Sequence, residues 1–219
     1  DLSRVTYFIL DEADRMLDMG FYDDIMQIVK RLPADRQTLL FSATMPVKTR
    51  RLAEEILTDP VEVSIAISRP TEKIDQSAYV CHDSQKTGIL KHIFKTRNSN
   101  RVIIFASSKL AVKELTRELR SRRYKAAEMH SDLEQQQRNE VIHDFTSGKI
   151  DILVATDILA RGIDIDEISM VINYNVPREA EDYIHRIGRT ARANADGTAI
   201  TLVNRQEQEK FGRIEKFLG

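Results

Sequence analysis

The chain has 219 residues, of which 42% are hydrophobic and 31% are charged, and its formal net charge is −1. This composition is typical of a folded globular protein and excludes a disordered or fibrous chain. No apolar run approaches the ~18 residues that span a membrane, and no signal peptide opens the chain, so we expect no membrane association. The single cysteine, Cys81, excludes an internal disulfide, so we expect a cytoplasmic protein.

Short apolar runs alternate with amphipathic stretches along the chain. The predicted strands are Val5–Leu10, Gln37–Phe41, Val61–Ile65, Ala78–His82, Val102–Phe105, Ala126–His130, Ile150–Ala155, Met170–Asn175 and Thr198–Val203. The predicted helices are Asp23–Leu32, Thr49–Leu57, Lys86–Lys95, Leu110–Arg122, Leu133–Phe145, Ala180–Ile187 and a last helix near the C-terminus. This alternation predicts an α/β fold in which helices cover a parallel sheet on both faces, with ligands bound at the carboxyl ends of the strands.

A polar stretch without periodicity divides the predicted elements into two sets. Residues 67–76 contain Pro70 and are predicted to form a linker. A full α/β set follows in residues 77–219, whereas residues 1–66 hold only about three strands, too few for a domain of this class. The chain also starts abruptly at Asp1, one short step before a strand. We therefore expect a complete α/β domain preceded by the C-terminal part of another.

Three carboxylates follow the first predicted strand: Asp11, Glu12 and Asp14. Two or more carboxylates at a strand end can hold Mg²⁺ through its water shell, and Asp11 is the better placed for this role. Glu12 could orient and deprotonate an attacking water. The alternative is an acidic helix start, which these residue types also favour. A phosphate loop of the form G-x-x-x-x-G-K-[ST] is absent, and the Gly148–Lys149 pair is predicted to be a helix stop.

The residues near the C-terminus supply the opposite charge. Arg186, Arg189 and Arg192 recur every three residues, with His185 beside them. Guanidinium groups suit phosphoryl oxygens, and a pair supplied from a second domain would act as arginine fingers. A solvated basic helix is the alternative.

A further strand ends in Thr156–Asp157, and Arg161–Gly162 and Asp164 follow together in one loop. Hydroxyl, amide and guanidinium groups at a strand end can bind a nucleic-acid backbone without reading bases.

Taken together and in order, these segments resemble the DEAD-box RNA helicases. The segments are "DEAD" (11–14), "SAT" (42–44), "IIFASS" (103–108), "SDLEQQQR" (131–138), "ATDILARGID" (155–164) and "HRIGRTAR" (185–192). The resemblance covers nearly the whole chain. It implies two RecA-like domains that close over ATP and single-stranded RNA, with residues 1–66 as the C-terminal part of the first domain, residues 67–76 as the linker and residues 77–219 as the second domain.

The resemblance also implies a role for individual residues. For nucleotide chemistry, Asp11 would bind Mg²⁺ through water, Glu12 would position the hydrolytic water, Asp164 and Gly162 would lie at the nucleotide, and Arg189 and Arg192 would reach the γ-phosphate. For coupling of ATP to domain closure, the residues would be Asp14, Ser42, Thr44 and His185. For the RNA backbone, they would be Ser107, Ser108, Gln135, Arg138, Thr156, Arg161 and Gly162.

The sequence departs from the family pattern at three positions. Ala191 and Ser131 stand where the family usually has glycine, and Ser107 stands where it usually has asparagine. The adenine-reading segment, the phosphate loop and the RNA motifs of the first domain are also missing from this chain. We therefore expect a fragment that is inactive alone and that needs the N-terminal part of the first domain.

Two other functions are open on the sequence alone. One is a non-catalytic RNA-binding or partner-docking module, which would bind RNA without any dependence on nucleotide. The other is a DNA helicase of the wider superfamily, against which the combination of "DEAD", "SAT" and "HRIGR" argues. The sequence carries no signal for the oligomeric state.

Overall fold

The computed structural model describes residues 1–64, 73–97, 100–157, 168–191 and 196–219. The chain divides into two compact units, residues 1–68 and 69–219. Within the described ranges, no helix is both long and apolar enough to cross a membrane.

The first unit is a small α/β structure with two parallel strands. Its elements are β1 (Tyr7–Leu10), α1 (Ala13–Asp18), α2 (Tyr22–Val29), β2 (Gln37–Leu40) and α3 (Val47–Ile56). β1 and β2 pair in parallel over their whole length. Helix and strand residues form one apolar core, which includes Leu10, Leu17 and Leu52. The other face of β1 is open, with Tyr7 64% and Ile9 59% exposed.

The second unit contains a six-stranded sheet, and all its strand pairs are parallel. Its elements are β3 (Ile74–Val80), α4 (Asp83–Thr96), β4 (Val102–Phe105), α5 (Lys109–Ser121), β5 (Ala126–Met129), α6 (Gln135–Thr146), β6 (Ile152–Ala155), β7 (Met170–Asn173), α7 (Ala180–Ile187), β8 (Gly197–Val203) and α8 (Gln208–Leu218). The strand order is β3-β8-β7-β4-β6-β5. The near-continuous apolar strands β4, β6 and β7 are fully buried at the centre, as expected for strands covered on both faces. The predicted parallel α/β fold is confirmed.

One predicted strand and one predicted boundary are wrong. Residues 61–64 form no strand, and Val61 and Val63 are 89% and 79% exposed, so the apolar alternation there has no sheet to join. The linker predicted over residues 67–76 overlaps β3, because residues 74–76 pair with β8. Residues 75–77 of β3 are polar because β3 lies at the edge of the sheet, where side chains remain in water. Residues 67–72 lie outside the described part of the chain.

Strand register brings three strand ends to one edge of the second sheet. Phe105 of β4 pairs with Ala155 of β6 on one side and with Asn173 of β7 on the other. The residues that follow these strands therefore emerge side by side. This is the edge at which parallel α/β sheets bind ligands.

Candidate functional site

The acidic loop after β1 has an unusual backbone conformation. Asp11 and Glu12 are exposed, and Glu12 adopts the left-handed conformation, with φ 51° and ψ 45°. The Glu12 amide donates to the Asp11 carboxylate at 2.8 Å, and the next amide, of Ala13, donates to the Phe41 carbonyl at 3.1 Å. Left-handed non-glycine residues cost energy and recur at functional sites, where the surrounding structure holds them.

Asp14, Ser42 and Thr44 are brought together in the first unit. Asp14 is buried, and its carboxylate accepts hydrogen bonds from the Thr44 amide at 3.0 Å and from the Thr44 hydroxyl at 2.6 Å. The Ser42 hydroxyl accepts from the Asp14 amide and donates to the Thr44 carbonyl. Burial alone raises the pKa of Asp14, but hydrogen bonds, led by those from Thr44, outweigh it and lower the pKa below its ordinary value. The loop after β2 is therefore tied to an ionised Asp14.

The acidic loop suits a hydrated Mg²⁺ rather than a protein cage. No group of three or more potential metal ligands exists in the described residues. Asp11 offers one exposed carboxylate at a strand end. Mg²⁺ is commonly held by one or two carboxylates, several waters and substrate phosphates. Glu12 lies beside it and forms an ion pair with Arg15 at 3.3 Å.

In the second unit, two exposed serines follow β4 at the N-terminus of α5. The Ser107 amide donates to the side-chain oxygen of Asn175 at 3.1 Å. The Ser108 hydroxyl oxygen accepts from the Ala111 amide at 3.2 Å and so caps α5. A hydroxyl that accepts one bond still has its proton to donate. Hydroxyl donors at a helix N-terminus suit a phosphate oxygen.

The loop between β5 and α6 is joined to the same region by ion pairs. Asp132 accepts from Lys109 at 2.9 Å and from Lys113 at 2.8 Å, both of which lie on α5. These two hydrogen bonds lower the pKa of Asp132 to about 2. Arg138 of α6 donates to the Ser131 carbonyl at 3.3 Å. The Gln135 side chain, at the exposed start of α6, donates a hydrogen bond to a side chain one turn further along the same helix.

The end of β6 is fixed by a buried arginine. Asp157 follows Thr156, and its carboxylate pairs with the Arg186 guanidinium in a bidentate manner, at 2.5 and 2.7 Å. Arg186 of α7 is 2% exposed and lies 5.0 Å from the centroid of the Phe105 ring. The predicted site residues Arg161, Gly162 and Asp164 lie outside the described part of the chain.

The three arginines of the basic segment have different environments. Arg186 lies inside α7, whereas the helix ends at Ile187 and Arg189 follows it, half-buried, with its Nε donating to the His185 carbonyl at 3.3 Å. The basic segment is therefore not a helix whose three arginines all face solvent. Arg192 lies outside the described residues, and the relation of His185 to the Asp14 cluster stays a prediction.

Sequence reasoning missed a group of hydrogen-bonded polar residues next to these strand ends, of which Lys86 and Glu207 are buried. Asn175, Glu207 and Lys86 are joined by hydrogen bonds although they are far apart in sequence. Lys86 falls on the apolar side of α4, four residues before Leu90, and both are fully buried. That position of a lysine on an apolar stripe is the signal that could have found it.

Family models of helicase domains match residues in both units of the chain. The DEAD/DEAH box helicase model matches residues 1–52, and the helicase conserved C-terminal domain model matches residues 85–194. ATP-dependent RNA helicase CshA of Listeria monocytogenes is 44% identical over 98% of this chain and 42% of its own length. ATP-dependent RNA helicase dbp2 of Aspergillus clavatus is 46% identical over 92% of this chain and 38% of its own length.

Solved structures are similar over the whole chain. Saccharomyces cerevisiae Dbp5 bound to RNA and ADP BeF3 has a TM-score of 0.89 at 33% identity and matches 100% of this chain and 59% of that one. A DEAD box protein from Methanococcus jannaschii has a TM-score of 0.64 at 40% identity, with the same coverage. The chain spans less than half the length of the two curated relatives. From its motifs, its RecA-like parallel sheet and these matches, it belongs to the DEAD/DEAH box helicase family.

Proposed function

We propose that the chain is part of an ATP-dependent RNA helicase, in which RNA-stimulated ATP hydrolysis drives local unwinding of RNA duplexes in the cytoplasm. It contributes the C-terminal part of the first RecA-like domain and the whole second one. The observation that carries the proposal is the Asp14–Thr44 pair in the first unit. A buried carboxylate holds the loop after β2 to the very loop that presents Asp11 and Glu12.

For ATP hydrolysis, each acidic and basic group has a separate task. Asp11 holds Mg²⁺ through its water shell, and the cation, when bound, neutralises charge on the phosphoryl oxygens. Glu12 orients the attacking water and accepts its proton. Arg189 and Arg192 stabilise charge on the γ-phosphate as arginine fingers, and Asp164 and Gly162 contribute to nucleotide binding.

Coupling between nucleotide and RNA depends on polar loops that respond to both. Asp14, Ser42 and Thr44 form one hydrogen-bonded group, so a shift of the acidic loop on ATP binding moves the loop after β2. With His185, they would link the ATP state to domain closure.

The second unit binds the RNA backbone rather than its bases. Ser107, Ser108 and Thr156 offer hydroxyls at adjacent strand ends, and Gln135 and Arg138 lie on α6. Arg161 and Gly162 complete the predicted set. Hydroxyl, amide and guanidinium donors bind phosphate and sugar oxygens without sequence preference.

Activity requires an upstream segment that completes the first domain. The sequence has no G-x-x-x-x-G-K-[ST] phosphate loop. The face of β1 that carries Tyr7 and Ile9 is apolar and exposed. An upstream segment would cover this face and supply the phosphate cradle, so we expect the 219-residue chain to be inactive alone.

The test is ATP turnover in a protein that joins this chain to an upstream segment with the phosphate loop, with and without single-stranded RNA. RNA stimulates turnover, and Glu12→Gln abolishes it. Glu54→Gln, which neutralises an exposed glutamate on α3, is the matched control and leaves turnover unchanged. Turnover that RNA does not affect would refute the proposal. RNA binding without any dependence on nucleotide would favour the non-catalytic module instead.

A further inference from the structure

Asn175, two residues after the end of β7, contacts three parts of the second unit. Its side-chain oxygen accepts from the Ser107 amide at 3.1 Å, and its side-chain nitrogen donates to Glu207 at 3.3 Å. Its backbone carbonyl accepts from Arg186 at 2.9 Å. One residue therefore joins the serine loop after β4, the helix α7 and the turn before α8.

The Glu207 side of this network is buried and held by several hydrogen bonds. Glu207 is buried, and it also accepts from the Val176 amide at 3.2 Å and from Lys86 at 3.3 Å. Lys86 is fully buried and pairs with Asp83 at 3.0 Å as well. A buried charge persists only when it is paired and hydrogen-bonded, and both charges here meet that condition. Glu207 therefore offers Asn175 a fixed acceptor.

The Arg186 side connects Asn175 to the end of β6. The Arg186 guanidinium binds the Asp157 carboxylate bidentately and also donates to the Asn173 side chain at 3.0 Å. A planar guanidinium fixes the orientation of its partners as well as their distance. Because Asp157 follows Thr156 directly, the ends of β4, β6 and β7 are held by one set of hydrogen bonds.

The contact with Asn175 sets what the serine loop presents to solvent. With its amide bound to Asn175, Ser107 is held at the N-terminus of α5 beside Ser108. Both serines are exposed. Without Asn175, the Ser107 amide would turn to water, and the loop would sample orientations in which the two hydroxyls do not face one phosphate.

We propose that Asn175 is a positioning residue for RNA binding, which holds the Ser107–Ser108 loop in register with Thr156 through Arg186. The inference rests on the proposed function, since the serines and Thr156 are RNA contacts only within it. Asn175 itself does not touch RNA. It acts through the Ser107 amide and through the strand ends that it joins.

The test compares Asn175→Ala with Asn204→Ala in the 219-residue chain. Asn204 is the matched control because it binds Glu207 and Asp83 in the same network but makes no bond to Ser107. The measurements are affinity for a fluorescein-labelled single-stranded oligouridine by anisotropy, exchange of the Ser107 amide by NMR, and melting temperature.

Asn175→Ala is expected to weaken RNA binding by about ten-fold, which corresponds to the loss of one charge-assisted hydrogen bond from a serine hydroxyl to an RNA phosphate. It is also expected to speed exchange of the Ser107 amide. Asn204→Ala is expected to lower the melting temperature but to leave affinity and exchange unchanged. Equal loss of affinity in both variants, or none in Asn175→Ala while the wild-type chain binds, overturns the positioning role alone. A wild-type chain that fails to bind RNA at low salt overturns the RNA function together with it.

Discussion

Replacement of Asp14 by alanine tests how strongly the acidic loop is tied to the loop after β2. The carboxylate accepts three hydrogen bonds: from the Thr44 amide at 3.0 Å, from the Thr44 hydroxyl at 2.6 Å and from the Arg15 amide at 3.0 Å. All three are lost in the variant, and the donors on Thr44 lose their only acceptor within this cluster.

The expected cost follows from those bonds. A hydrogen bond to a charged group contributes about 1.5–3 kcal/mol, and such contributions are not additive. Because Thr44 is only partly buried, water replaces part of what is lost. We therefore expect Asp14→Ala to lower the unfolding free energy of the first unit by about 3 kcal/mol, a large fraction of the stability of so small a unit.

The assay is urea unfolding followed by amide NMR signals of each unit separately, because a chain with two units does not have a single unfolding transition. Asp18→Ala, at an exposed position on the same helix, is the control. A midpoint for Asp14→Ala that equals the control's would refute the reasoning, as would an effect confined to the second unit.

The Asp14 effect also depends on pH. Burial raises its pKa, but hydrogen bonds led by Thr44 outweigh burial, so the folded pKa is below the ordinary value of 3.8. The stabilisation is therefore complete above the unfolded value and is lost as pH falls through the folded one. The advantage of wild type over Asp14→Ala should shrink below pH ~4.

Three other substitutions give expected outcomes. Ala191 has φ 57°, a left-handed conformation that costs a residue other than glycine about 1–2 kcal/mol. Ala191→Gly should therefore raise the melting temperature of the second unit. A decrease would show that packing of the Ala191 methyl group contributes more than the backbone strain costs. Asp132→Asn releases Lys109 and Lys113, so oligouridine affinity should rise with a steeper salt dependence; an unchanged slope would place both lysines outside the RNA path. Arg186→Lys loses the bidentate fork and should destabilise the second unit by about 3 kcal/mol in urea, and an effect below about 1 kcal/mol would contradict the role of the fork.

The elements that were predicted correctly are those with a strong local signal. β4 was predicted over its full length because its four apolar residues can only be buried. The sequence predicts that β3 starts at Ala78 because residues 75–77 before it are polar, and an edge position leaves such residues in water. Val61–Ile65 has the alternation of a strand, but residues 61–64 do not pair, and pairing is a property of the whole unit rather than of the segment.

The sequence predicts the motif residues of the site but not the residues that hold them in place. The family resemblance groups Asp14, Ser42 and Thr44, and the structure brings these three together. The bonds from Asn175 to Ser107 and to Glu207 span 68 and 32 residues, and an asparagine after a strand carries no pattern that distinguishes it from a loop residue. Long-range hydrogen bonds of this kind become visible only once strand order and register are known.

The measurement that tests the central claim most directly is ATP turnover by this 219-residue chain, with and without single-stranded RNA, beside the same chain extended upstream. The proposed helicase predicts no turnover by the chain alone and RNA-stimulated turnover once the upstream segment supplies the phosphate cradle. RNA-stimulated turnover by the chain alone would contradict the need for that segment, and turnover in neither protein would contradict the helicase itself.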